Sequence, residues 1–265
     1  ATKTMNPPNI TILTGNDNRH KYFIDCLSSK FIISEIFLEN GNYPCPEPKS
    51  EDESLAWKWF FQNRDRCEEK LIQQSSQLKT KNKPKVTHIN EKDLNAPETI
   101  AKIIKTNPGF IAVFGTGILS NDYLKLFPNR LYNLHIGDPQ YYRGSSCNFW
   151  PVYEGKLQHL SATVHRIDQN IDTGNILNKQ TVTLNKLVDD QTLLIKPLIL
   201  GTQLMIKTIQ QWLNDALQPE PQITSGPLYK RSEFTPEIVL KYKQMVESGR
   251  LNNRIQAKIN SLSST

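Results

Sequence analysis

Phe110-Ile111-Ala112-Val113-Phe114-Gly115-Thr116-Gly117 is the stretch that decides the fold. A nearly continuous apolar run, broken at once by glycine, reads as a strand buried on both faces that ends in a tight turn. A strand with one wet face would alternate apolar with polar instead. Burying both faces requires helices above and below the sheet. The flanking sequence agrees. Ile10 to Thr14 is a β-branched run closing on Thr14-Gly15-Asn16-Asp17, and Phe31 to Leu38 is a second strand rich in Ile and Phe. Val86 to Ile89, Leu131 to Leu134, Ala162 to Ile167 and Ile176 to Leu184 are further strand candidates.

Helical patterns fall between these runs. Lys21 to Leu27 places Tyr22, Phe23 and Leu27 on one face, and Ser54 to Gln74 carries Leu55, Trp59, Phe60 and Leu71 at helical spacing. Ala96 to Ile104 has Pro97 at its start, where a missing N–H costs little. Pro44, Pro46 and Pro48 make Gly41 to Ser50 a loop. Thr192 to Leu213 is a long amphipathic helix, with Pro197 in its first turns or kinking it. Pro219, Pro221 and Pro227 mark a linker, Pro236 to Glu247 reads as the final helix, and a polar tail ends at Ser261 to Thr265. The pattern predicts an α/β fold: a Rossmann-like, mostly parallel sheet with helices on both faces, plus a short C-terminal extension. Residues 1–215 form the catalytic domain in this reading and residues 216–265 a mostly helical extension.

The chain has 265 residues, 37% hydrophobic and 22% charged, enough for a real core. That excludes a mainly disordered chain, a collagen and a small disulfide scaffold. No run of about 18 apolar residues is present, so no membrane-spanning helix is expected. Ala1 to Asn9 is polar and lacks a signal core, so a cytoplasmic location is expected. The net charge of +6 is mildly basic and favours anionic ligands. Lys79, Lys81, Lys83 and Lys85 crowd one loop without interleaved aromatics, which reads as a solvated loop rather than a nucleic-acid contact. Cys26, Cys45, Cys67 and Cys147 show no C-x-x-C spacing, so no zinc clip or redox dithiol is signalled.

Open α/β sheets bind ligands beyond the carboxyl ends of their strands. Gly115-Thr116-Gly117 sits there. It is not a dinucleotide fingerprint, because Ile118 and Leu119 fill the next positions. It is either a plain turn or a backbone edge offered to a planar ring, with Ile118 and Leu119 as walls. Asn133 and His135 follow the next strand, two residues apart and facing one side. Asn supplies uncharged amide donors and His titrates near neutrality. Such a pair suits addition of a nucleophile to a carbonyl. Asp172 precedes Thr173-Gly174, a turn that would present its carboxylate at a loop tip. Together the three would make an acid–base site with an oxyanion stabiliser. Singly, Asp172 could cap a turn, and His165 on a strand reads as a structural histidine.

The ordered set Asn133-x-His135, Tyr142-Arg143-Gly144, Trp150, Gly155, Thr163-x-His165 and Asp172-Thr173-Gly174 resembles the 10-formyltetrahydrofolate-dependent formyltransferases. The resemblance is clearest from Phe110 to Ile176. It implies a catalytic trio of Asn133, His135 and Asp172. It implies a folate loop on Gly115, Gly117, Ile118 and Leu119, with a second pterin-facing loop carrying Asp168 and Ile171. The implied co-substrate is 10-formyltetrahydrofolate, with no metal. Tyr141, Tyr142 and Arg143 follow the catalytic strand and are expected to line the acceptor pocket, while Trp150 is expected in the core.

The resemblance has departures. Gly137-Asp138-Pro139 replaces the usual serine–leucine stretch, and Thr14 to His20 is unlike the purine enzyme's phosphate loop. Arg19-His20 at a helix start suits an anion or an exposed cap. About fifty residues follow Leu213, short for the tRNA-binding domain of methionyl-tRNA enzymes. The expected acceptor is therefore a small, anionic amine, first of all a nucleotide-linked amino sugar. A purine precursor, an amino acid, methionyl-tRNA, hydrolysis of the formyl-folate and a non-catalytic module are the alternatives. Neither nucleic acid nor membrane is an expected partner, and the oligomeric state stays open, a homodimer included.

Overall fold

A computed structural model describes residues 9–41 and 43–264. The segment read for a signal, up to residue 8, lies outside the described residues, as does Thr265. The strands are β1 (Asn9–Gly15), β2 (Ile33–Asn40), β3 (Lys85–Asn90), β4 (Pro108–Phe114), β5 (Leu131–His135), β6 (Arg143–Gly144), β7 (Ser161–Arg166), β8 (Ile176–Thr181) and β9 (Leu228–Tyr229). The helices are α1 (Asn18–Lys30), α2 (Glu51–Ser75), α3 (Pro97–Lys105), α4 (Asn121–Leu126), α5 (Trp150–Tyr153), α6 (Asp190–Leu213), α7 (Pro236–Glu247) and α8 (Arg250–Ser263).

Seven strands form one sheet in the order β3-β2-β1-β4-β5-β7-β8. The first five run parallel, β7 is antiparallel to β5, and β8 is antiparallel to β7. The mostly parallel α/β fold expected from the sequence is the fold observed. Phe110, Ala112 and Phe114 point into a cluster with Phe23 and Leu27 of α1 and Leu198 and Met205 of α6. Ile111 and Val113 point the other way, toward Ile100 and Ile103 of α3 and Tyr123 of α4. Both faces of β4 are therefore dry, which is why its sequence shows no alternation. Each such fully buried side chain contributes about 1.5–3 kcal/mol relative to exposure.

Several elements differ from expectation. Helix α8 replaces the expected polar tail, because Leu251 and Ile255, four residues apart, bury one stripe beside Val239 and Tyr242 of α7. A two-residue stripe is too thin to announce a helix in the sequence. In α2, Phe60 is buried as expected, but Leu55 is exposed and Ala56 is buried in its place. Helix α4 has only six residues and no readable period. The proline-marked linker runs into β9, which pairs with β6. By length and composition α6 could cross a membrane, although the sequence shows no unbroken apolar run. Its Leu193, Leu198, Met205 and Ile209 are buried in the core.

Strand order reverses between β1 and β4, whose crossover helices α1 and α3 pack on opposite faces. This opens a crevice beyond the strand ends. A cavity of about 1190 Å³ occupies it, bounded by the ends of β1, β2, β4 and β5, by α2 and by residues 228–234.

Candidate active site

Asn133 and His135 stand on β5 and face the same side, as their spacing requires. The antiparallel register sets His165 of β7 directly across from Asn133. Cross-strand partners share a face, so His165 joins the site. Its Nε2 lies 3.3 Å from Asn133 Nδ2 and 3.3 Å from Asp172 Oδ1. Its Nδ1 donates to the Arg166 carbonyl at 2.8 Å. The sequence reading gave His165 a structural role. The signal that points to the site is its pairing across β5 and β7, which needs the register.

Asp172 sits at the centre. Its backbone is left-handed, with φ of 55°. Its Oδ2 accepts the Gly144 N–H at 2.8 Å and lies 3.5 Å from His135 Nδ1. Burial pushes the carboxyl up. The His135 imidazole, the His165 imidazole and the Gly144 N–H outweigh it and hold the carboxyl well below the usual carboxylate range. His135 Nε2 donates to the Tyr142 carbonyl at 2.8 Å. Both groups beside the His135 ring, the Asp172 carboxylate and the Tyr142 carbonyl, are hydrogen-bond acceptors.

The glycine loop forms the next wall. Gly115 has φ of 66°, and a side chain there would collide with His20. Gly117 N–H donates to Glu39 Oε2 at 2.9 Å. Asn95 fixes the far end, donating to the Ile118 carbonyl and accepting the Ser120 N–H. Gly115, Gly117, Ile118 and Ile171 line the cavity. Leu119 instead packs against the core beneath α4, and Asp168 accepts from Asn170 N–H and Thr173 Oγ1 within its own turn.

Tyr141, Tyr142 and Arg143 do not line the cavity. Tyr141 stacks on His159 with ring centroids 3.8 Å apart. Tyr142 is buried and donates its hydroxyl to Glu154. Arg143 donates to the Gly226 carbonyl at 2.6 Å and the Ile171 carbonyl at 3.2 Å. Ser145, Ser146 and Asn148 reach the cavity in their place. Trp150 is in the core, as expected. The opposite wall is aromatic: Trp57, Phe60 and Phe61 of α2 meet Phe234 edge-on or tilted.

Arg19 does not stand free for an anion. It pairs with Asp17 at 2.9 Å and with the buried Glu68 at 3.5 Å. His20 Nδ1 accepts the Asp17 N–H at 3.0 Å, which leaves the proton on Nε2, buried and without a partner among the described residues. Burial first, and Arg19 second, hold the imidazole well below its usual value.

Comparison with known proteins fits this arrangement. A methionyl-tRNA formyltransferase of Thermodesulfovibrio yellowstonii is 30% identical over 138 residues, covering 51% of this chain and 44% of the relative. The first curated relatives are matched over less than half of their own length. The crystal structure of WlaRD, a sugar 3N-formyltransferase in the presence of dTDP and 5-N-formyl-THF, superposes with TM-score 0.53 at 17% identity, covering 89% of this chain and 78% of that one. Phosphoribosylglycinamide formyltransferase from Anaplasma phagocytophilum superposes with TM-score 0.55 at 12% identity, covering 85% of this chain and all of that one (100%). These structures share the fold. The formyl transferase family model matches residues 58–209, more than half of the chain and the whole trio of Asn133, His135 and Asp172, and the chain therefore belongs to the formyl transferase family.

Proposed function

We propose that the chain transfers a formyl group from 10-formyltetrahydrofolate to the primary amine of a nucleotide-linked amino sugar. The observation that carries this reading is Asp172 held between two imidazoles, with the Asn133 amide beside them, on the wall of a cavity large enough for two substrates. A reduced folate fits the wall of Gly115, Gly117, Ile118 and Ile171, where the glycines permit close approach of a planar ring. Bound there, it supplies an activated formyl group.

The side chains divide the work. Asn133 donates a neutral hydrogen bond to the formyl oxygen as negative charge grows on it. His135 stands beside it as the second group that holds this oxyanion. Asp172 orients the His135 ring and, through water, carries the proton from the attacking amine to the folate nitrogen as the amine–carbon bond forms and the formyl carbon–folate nitrogen bond breaks. His165 fixes Asp172 and Asn133 relative to each other. Loss of one oxyanion donor costs about 2.7–4 kcal/mol in comparable sites.

The acceptor reading rests on the aromatic wall of Trp57, Phe61 and Phe234, suited to a sugar face or a base, and on the dTDP reported with the sugar formyltransferase. Methionyl-tRNA is the second reading, favoured by the sequence similarity to methionyl-tRNA formyltransferases. The test is release of tetrahydrofolate with each candidate amine, followed by mass spectrometry for the gain of one formyl group. Transfer to methionyl-tRNA and to no amino sugar overturns the first reading.

A further inference from the structure

The tip of β2 carries a carboxylate that the chemistry above leaves unused. Glu39 is paired with Gly15 in the β1–β2 register, and it is buried. Its Oε2 accepts from Gly117 N–H and its Oε1 from the Tyr43 hydroxyl at 3.2 Å. A carboxylate has about four acceptor sites, and among the described residues these two donors fill two of them on a side chain that lines the cavity. Asn16 and Asn40 stand beside it, bonded to each other through Asn16 Nδ2 and Asn40 Oδ1 at 2.7 Å. These are acceptors and neutral amides, the complement of hydroxyl groups.

We propose that this end of the cavity is a ribose subsite, with Glu39 accepting from the 2′- and 3′-hydroxyls of a ribonucleotide-linked acceptor. The inference rests on the nucleotide-sugar reading and deepens it. Three strand steps separate Glu39 on β2 from Asn133 on β5, roughly 14 Å at the usual ~4.8 Å spacing. That is beyond the hexose that carries the reacting amine, and it matches a hexose extended by a diphosphate. The His20 Nε2–H, unpartnered among the described residues, lies between, beside Gly15 and Gly115, as a donor for an oxygen of the linker. Arg231, stacked over the Tyr43 ring at 3.2 Å, and Lys230 line the same end and suit the linker's phosphates, while the Glu39 carboxylate repels a phosphate at its own position. An acidic residue at the second strand tip reads ribose hydroxyls in dinucleotide folds for the same geometric reason.

The experiment compares UDP-linked and dTDP-linked forms of one 4-amino-4,6-dideoxyhexose, which differ at the ribose 2′-hydroxyl and the base methyl. The wild type should show a KM for the UDP form lower by about tenfold or more, the scale of a hydrogen bond to a charged acceptor. Glu39→Gln should erase that preference while its amide oxygen still accepts the Gly117 N–H. A merely structural role for Glu39 would raise both acceptor KM values alike, and that result overturns the proposal, as does a wild type without preference. Direct titration of UDP, dUDP and dTDP against the wild type isolates the hydroxyl from the methyl and needs no variant to fold. UDP binding about tenfold more tightly than dUDP, with no transfer to either sugar, sinks the acceptor reading alone. Equal or absent binding of UDP and dUDP sinks the ribose subsite.

Discussion

The Gly144 backbone N–H donates to Asp172 Oδ2 at 2.8 Å, so the loop after β5 and the loop after β7 meet at the carboxylate. Gly144 is in β6, and β6 is held by β9: Arg143 N–H donates to the Pro227 carbonyl and Ser145 N–H to the Tyr229 carbonyl. The segment after α6 thus supports the site from outside the sheet. Gln222 adds to this, donating Nε2 to the Asp172 and Gly174 carbonyls at 2.9 Å.

His135→Asn should keep the fold and remove most formyl transfer, because the ring sits at the strand end. Asn133→Ala should lower kcat by roughly 10²–10³. Combined with Asp172→Asn, the losses should be far from additive, as for groups that act on one transition state. Stopped assays of tetrahydrofolate release check all three. Wild-type rates in His135→Asn would sink the mechanism.

Asp172 also makes a prediction about acid stability. Its folded carboxyl lies below the ordinary value, so its stabilisation is complete above about 3.9, the unfolded value, and is lost as pH falls toward the folded one. Wild-type Tm should therefore fall more steeply below about pH 4 than that of Asp172→Asn. Parallel acid limbs in thermal scans would contradict this.

Asp190 behaves oppositely. Burial, then the neighbouring Asp189, push its carboxyl up to about 6, and its Oδ2 is buried without a partner among the described residues. A raised carboxyl costs stability above its folded value and nothing below its unfolded one. Asp190→Asn should therefore stabilise the protein by roughly 1–3 kcal/mol at neutral pH, with the gain fading as pH falls from about 6 to 4. Urea unfolding at two pH values reads the difference.

Arg143→Ala removes both bonds to the Ile171 and Gly226 carbonyls. Ile171 directly precedes Asp172, so the variant should lower kcat more than it raises the acceptor KM. It should also destabilise by about 3–6 kcal/mol, the cost of two charge-assisted bonds. A selective rise in acceptor KM would instead put the guanidinium against the acceptor.

Gly115→Ala should cost about 2–4 kcal/mol, because a left-handed φ and a collision with His20 act together. Gly249→Ala, with φ of 77° and open space, should cost only about 1 kcal/mol. Adding His20→Ala to Gly115→Ala should recover part of the loss in a double-mutant cycle.

The sequence by itself determined the sheet and the order of its elements. Two dry faces leave a continuous apolar run in β4, and glycines and prolines mark most of its turns. Asn133 and His135 were readable as a pair because a strand has a period of two. What only the tertiary structure decided depends on which strands lie side by side. His165 enters the site through the β5–β7 register, which no local pattern encodes. Arg143 and Tyr142 look like binding groups in a motif, yet their partners are Ile171, Gly226 and Glu154, far along the chain or hidden by folding. Glu39 is one acidic residue among many until the fold brings Gly117 and Tyr43 to it and buries it beside the cavity. Periodicity is local and survives in sequence; the burial and pairing of single polar groups are set by long-range packing and appear only once the chain is folded.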